Sequence, residues 1–353
     1  MPLTEQMRRC LELINGQDGI VSTIGSVPHM RGDPDIRPPT PCVALDTLVK
    51  LFFKGPEPTI YVAIVHDIMS QIIHISYPGR PSHSHNPDLV SKARALTQTD
   101  VDMLFELFRT LLSNPTVELK IQLFKEMYCK GNDILMQQLI DKRAEEQQKL
   151  YMGQPNHYGI VKSLLQQNLS LSALEKIIAS DESIVVIQLI DDLFPNIQEL
   201  VQFLEQQIVV MPHTTGPNHH YYAIHVEVKG LHHAREESPE SEQFNIGLAR
   251  RDNQLPGCCA GCATEFDTLE HVRHYVINRT ADFHENFPPH NYQVSQNVTA
   301  DAGVFTKFVS ILHAKCSDIV QEEVYQDLVD HPFFGAASAL LGSSTDVVAS
   351  AEA

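Results

Sequence analysis

The stretch PTIYVAIVHDIMSQIIHISY, residues 58–77, constrains this chain more than any other. It is almost wholly apolar, yet His66, Asp67 and His74 interrupt it. An ionisable group taken out of water without a partner is costly. Asp67 and His74 must therefore meet each other, a polar network or a metal, with His66 on an adjacent face. Length and apolar content predict a buried helix over 58–77, ended by Pro78-Gly79.

From residue 42 onward the pattern is helical nearly throughout. Apolar spacing predicts helices over 42–54, 88–113, 118–150, 157–167, 171–180 and 183–190. The last continues into 191–211, with a break near Pro195. Further helices are expected over 219–237, 264–278 and 302–329, with 238–262 irregular and polar. No internal repeat and no strand ladder stands out. The expectation is an all-α protein: a helical bundle over 42–335. A short helix and a Pro-rich connector containing Arg31-Gly32-Asp33 precede it over 1–41. A flexible tail follows over 336–353.

With 353 residues, 43% of them apolar, a sizeable core can form. The net charge is −18, and no basic stripe is visible. That balance argues against a nucleic-acid or anionic-membrane partner, since phosphates demand cations. No run approaches the roughly 18 apolar residues of a spanning helix. The first residues, MPLTEQMRRCLELING, hold no uninterrupted apolar signal region. The seven cysteines are scattered and odd in number, which suits reduced thiols in a cytoplasmic protein.

Histidine is the overused residue, with 18 copies. It is dense in HVEVKGLHH, residues 225–233. On a helix over 219–237, His225, Lys229 and His232 form one stripe, while Glu227 and His233 point elsewhere. His225 and His232 stand about 10 Å apart along the axis, a spacing better suited to two metal ions than to one.

This helix resembles the late core helix of the haem-oxygenase-like di-iron oxidases and oxygenases, written His-x-x-x-Asp-x-x-His. A branch of that fold reads Tyr-x-x-x-His-x-Glu-x-Asp-Gly-x-His. The chain reads Tyr221-Tyr222-Ala-Ile-His225-Val-Glu227-Val-Lys229-Gly230-Leu-His232-His233. Lys229 stands where the family has Asp. The resemblance implies a haem-oxygenase-like helical bundle that binds iron, with manganese or zinc as alternatives. It implies metal ligands at His225 and His232. From the earlier helix it adds Asp67 and His74, seven apart like the family's acid and histidine. A carboxylate on an intermediate helix would bridge: Asp191 or Asp192, ahead of Glu126 and Glu199.

Lys229 is the catalytic candidate, because a lysine among imidazoles in an apolar core becomes a usable nucleophile or base. Two alternatives stand beside these readings: polar core pairs without metal for Asp67 and His74, and a solvent-facing Lys229. The expected function is a metal-dependent oxidoreductase or oxygenase acting on a small molecule, with association as a homodimer allowed. A non-enzymatic partner module with a degenerate metal site is the rival. A thiaminase-like hydrolase using Cys129 is a second rival.

A separate constellation lies in PGCCAGCATEF, residues 256–266. Cys259 and Cys262 form a Cys-x-x-Cys pair, with Cys258 adjacent. A structural zinc site wants four ligands, which His271 and His274 would complete. A redox pair and free loop thiols are the other readings. No phosphate loop, nucleophile elbow or dinucleotide fingerprint is present.

Overall fold

The computed structural model describes residues 2–15, 19–25, 40–54, 61–77, 95–132, 134–135, 138–139, 141–142, 183–195, 197–211, 225–250, 258–279, 292–320 and 326–342. The Arg-Gly-Asp triplet, the loop at 80–88, the helices expected at 157–167 and 171–180, and residues 343–353 lie outside these.

The chain opens with α1 (Glu5–Ile14), α2 (Ile20–Gly25) and α3 (Thr40–Leu48), which runs into a 3₁₀ turn at Val49–Phe52. Strands β1 (Tyr61–Asp67) and β2 (Ile72–Ser76) follow, then α4 (Gln98–Ser113), α5 (Val117–Cys129) and α6 (Ser183–Leu193). A second 3₁₀ segment, Ile197–Phe203, leads to β3 (Gln207–Val210). Next come α7 (Val226–Glu237), β4 (Gln243–Arg250), α8 (Ala260–Arg273) and β5 (Val276–Asn278). The chain closes with α9 (Gln296–Thr299), α10 (Ala302–Val320), α11 (Gln326–Val329) and α12 (Phe333–Gly342).

The all-α expectation is overturned by a five-stranded sheet in the order β3-β2-β1-β4-β5. With it goes the haem-oxygenase-like bundle. β1 pairs antiparallel with β2 and with β4, while β2–β3 and β4–β5 are parallel. The apolar run at 58–77 is a hairpin, not a helix. Asp67 makes its turn: Oδ1 accepts from the amides of Met69 at 3.0 Å and Ser70 at 3.1 Å. Gln71 takes the left-handed conformation, φ 60°, that closes it. Side chains on a strand alternate between faces, and this run obeys that period. Val62, Ile64, Ile73 and Ile75 enter one core, with Phe52, Phe108 and Phe124. Ala63 and Val65 enter the other, with Phe244, Ile246 and Leu248 of β4. The segment 243–250, expected to be irregular, is therefore a strand with ordinary two-residue alternation.

Helices cover both faces of the sheet, giving three layers. α3, α4, α5 and α6 pack on one side, and α1, α7, α8, α10 and α12 on the other. Met7, Cys10 and Ile14 of α1 are buried in the second core, as are Phe333 and Ala337 of α12. The N-terminal helix thus belongs to the folded body, and residues 336–342 are helical. The 183–190 helix stands as expected. β3, at the sheet edge, is bridged by Gln98, which bonds the amide of Val210 and the carbonyl of Ile208, both at 2.8 Å. None of the described helices is long and apolar enough to cross a membrane.

Two connections position the site. α7 leads through a short link into β4, and α8 through a shorter one into β5. Both helices therefore begin at the carboxyl end of these two parallel strands, where open α/β sheets place their ligands. α7 is pressed onto the sheet: a β-carbon at Gly230 would lie 2.8 Å from Val65 Cγ2, so only glycine fits that approach.

Candidate metal centre

His225 is the N-cap of α7 and Cys259 the N-cap of α8. Both are extended, and neither spends its side chain on a cap hydrogen bond. Those side chains turn toward each other instead. Cys262 lies three residues beyond Cys259, a spacing that puts both sulfurs on one side of the first turn. His225 Nδ1 stands 3.3 Å from Cys259 Sγ and 3.3 Å from Cys262 Sγ, and the sulfurs are 3.5 Å apart. Among the described residues this is the group of three or more His, Cys, Asp or Glu side chains that could hold an ion.

The donor set fits zinc. Tetrahedral zinc with ordinary Zn–S and Zn–N bonds separates two sulfurs by about 3.8 Å and a sulfur from a nitrogen by about 3.6 Å. The observed triangle is a few tenths of an ångström smaller. Among the described residues three donors converge, the number that protein side chains supply to a catalytic zinc. Cys258 is buried alongside, but its sulfur is outside the converging set.

Electrostatics favour a thiolate at Cys259. Burial opposes charge at Cys259, yet Cys262 and His225 beside it hold its thiol well below the usual range. The start of α8 contributes in the same direction, since helix N-termini favour anions. Burial and the neighbouring Cys259 push the Cys262 thiol up. Burial also opposes charge on His225, but Cys259, Glu227 and Glu265 together outweigh it and lift the imidazole to about 9.

Glu227 completes the centre. It is buried, with Oε1 3.9 Å from His225 Nδ1, and it is not among the converging ligands. Burial pushes its carboxyl up against the pull of His225. A carboxyl so placed, beside the converging donors rather than among them, is equipped to carry a proton.

The other residues singled out in the sequence do not join His225. Asp67 closes the hairpin turn. His74, on β2, packs edge-on against His233 of α7, with ring centroids 5.4 Å apart. Asp191 lies on α6, across the sheet from His225, and is ion-paired with Lys120 at 2.5 Å. Asp192 pairs likewise with Lys142 at 2.7 Å. His232 faces Asn297 at 3.1 Å and Glu236 at 3.2 Å. Lys229 is buried rather than solvent-facing and donates to the Tyr77 carbonyl at 3.2 Å. Burial brings its ammonium down to about 8. It lines a cavity of about 280 Å³ with His232, Ser295 and Asn15, one helical turn from His225. His271 bonds the Asp267 carbonyl at 2.8 Å, and His274 caps the far end of α8. These two stand roughly 18 and 22 Å along the helix from Cys259, too far to complete its zinc set. Cys129 is exposed on α5.

Both halves of the cluster are visible in the sequence, but nothing there joins them. The structure brings His225 to Cys259 and Cys262 rather than to Asp67, His74 or His232, and sets Glu227 beside His225. The signal was present as two motifs, His225-Val-Glu227 and Cys259-Ala-Gly-Cys262. No family model, no curated protein and no solved structure matches this chain.

Proposed function

We propose that the chain is a zinc-dependent hydrolytic deaminase, acting on a nucleobase-like amino group in a small molecule. One observation carries the reading. A histidine and two thiols converge at 3.3–3.5 Å, with a non-ligating glutamate two residues after the histidine. His-x-Glu followed by Cys-x-x-Cys is the constellation by which zinc deaminases attack the amino-bearing carbon of cytosine or adenine. That signature has proline before the first cysteine, and here Cys258 stands in its place.

His225, Cys259 and Cys262 would hold a zinc ion, which would supply a water acidified toward neutrality. Glu227 would accept on a carboxylate oxygen the proton that this water gives up and pass it to the substrate, where the departing amino nitrogen would receive it. A carbon–oxygen bond forms, the carbon–nitrogen bond breaks, and ammonia leaves. The pushed-up carboxyl of Glu227 suits this exchange, since a shuttle must accept and release at the working pH. The net charge of −18 favours a free base, nucleoside or similar molecule over a polynucleotide.

The iron-dependent oxidoreductase expected from the sequence has less support, because two thiolates with one imidazole suit zinc better than oxygen-activating iron or manganese. A cysteine hydrolase is favoured by one observation, the Cys259–His225 contact at a helix start. A dyad has no use for the second thiol, which stands at the same distance from the same nitrogen.

The test is ammonia release by the zinc-loaded full chain from cytosine, adenine and guanine as bases, nucleosides and nucleotides. One class is expected to react. Silence across the set at full zinc occupancy overturns the proposal.

A further inference from the structure

We infer that Tyr292, braced by Glu265, is a positioning residue that holds the three ligand side chains at their ligating separation. The inference rests on the zinc reading. A β-carbon at Gly261 would lie 2.4 Å from Tyr292 Cζ and 2.5 and 2.6 Å from its two Cε atoms. The ring therefore lies against the backbone between Cys259 and Cys262. The same ring meets His225 edge-on, with centroids 5.5 Å apart and planes at 89°. One aromatic side chain thus touches both halves of the ligand set.

Its hydroxyl donates to Glu265 Oε1, and Glu265 lies on α8 one turn beyond Cys262. The Ser295 amide donates to the same oxygen at 2.9 Å, and the Ser295 hydroxyl donates to Oε2. The Val294 amide donates to Asn15 Oδ1 at 3.0 Å, tying this segment to the end of α1. Tyr292, Glu265 and Ser295 are all buried. A buried carboxylate is expensive unless its oxygens are satisfied. Here three donors satisfy it, so segment, ring and helix are held as one piece. Groups that orient metal ligands in this way set metal affinity.

Two substitutions separate ring from hydroxyl. Tyr292→Leu removes the aromatic face, and Tyr292→Phe keeps it. Zinc affinity is read by competition with a chromophoric chelator, and ligand geometry by the thiolate-to-cobalt absorption of the cobalt-substituted protein. Tyr292→Leu is expected to weaken zinc about 10–100-fold and to alter the cobalt spectrum, with the far-ultraviolet circular dichroism retained. Tyr292→Phe is expected to recover most of that loss. Gly261→Ala, which displaces the ring, is expected to act like Tyr292→Leu. A folded Tyr292→Leu protein with wild-type zinc affinity and cobalt spectrum overturns the inference. If that variant fails to fold, unchanged affinity in both Gly261→Ala and Tyr292→Phe overturns it. Wild-type protein that binds no zinc removes the proposed function and this inference together. Zinc binding untouched by all three variants removes this inference alone.

Discussion

At the start of α7, His225 and Glu227 meet two thiols delivered by the start of α8. Two turns on, His232 and His233 meet an asparagine, a glutamate and another imidazole. The helix carries the same side-chain types at both ends, and among the described residues it is the start that gathers a group able to hold an ion. The difference lies in position. An N-cap side chain with no capping bond to make is free to reach sideways, and the neighbouring helix starts at the same edge of the sheet. Inside α7, Lys229 and His233 are held between helix and sheet and satisfy what they can locally. Histidine density alone thus does not report which side chains converge, and the positions of the helix starts do.

The sharpest way to break this comparison is to change one group at each end. Glu227→Gln should lower deamination by about 10²–10⁴-fold while zinc stays bound. His232→Ala should leave both rate and zinc unchanged. Equal losses in the two variants, measured by steady-state ammonia release, would erase the distinction.

The far end makes its own demand, visible in acid. Burial, and next the neighbouring His233, bring His74 down to about 4, below its ordinary value near 6.5. The unfolded chain therefore takes up this proton first. The stability contribution is complete above about pH 6.5 and lost as pH falls toward 4, by about 3 kcal/mol at most. His74→Leu should flatten that acid limb in urea unfolding between pH 4.5 and 7.5. An unchanged slope would mean that His74 finds a partner for its proton.

Smaller effects are expected at the two carboxylates that lie away from the centre. Asp67→Ala leaves the amides of Met69 and Ser70 without their acceptor and should cost about 1 kcal/mol in chemical denaturation. Asp191→Asn breaks a half-exposed ion pair and should change stability by less than about 0.5 kcal/mol. Neither should alter zinc content.

Much of the helical part was legible. The α6 run stands where apolar periodicity put it, and α4 opens on a capping box between Thr97 and Asp100. The sheet was not read, for physical reasons. The β1–β2 turn, Ile68–Gln71, lacks the glycine, asparagine or proline that marks hairpins. A left-handed glutamine and the Asp67 carboxylate close it instead. Strands buried on both faces read as continuous apolar runs and pass for buried helix. The Asp67–His74 spacing of seven misled for a related reason. Residue 74 pairs with Val65, so the hairpin also puts both side chains on one face. In β4 the alternation of Phe244, Ile246 and Leu248 was there to be read, though Gly247 and Asn245 disguise it as loop. The centre needed a contact between two helix starts, which no local spacing reports, although His-x-Glu and Cys-x-x-Cys announce its parts.

The most direct test is the zinc content of the untagged full chain and of four variants: His225→Ala, Cys259→Ser, Cys262→Ser and His232→Ala. The account predicts about one zinc per chain in the wild type and in His232→Ala, and little in the other three. Zinc retained in Cys259→Ser and Cys262→Ser, or lost in His232→Ala, would contradict it. So would a wild-type protein that takes up no zinc on reconstitution.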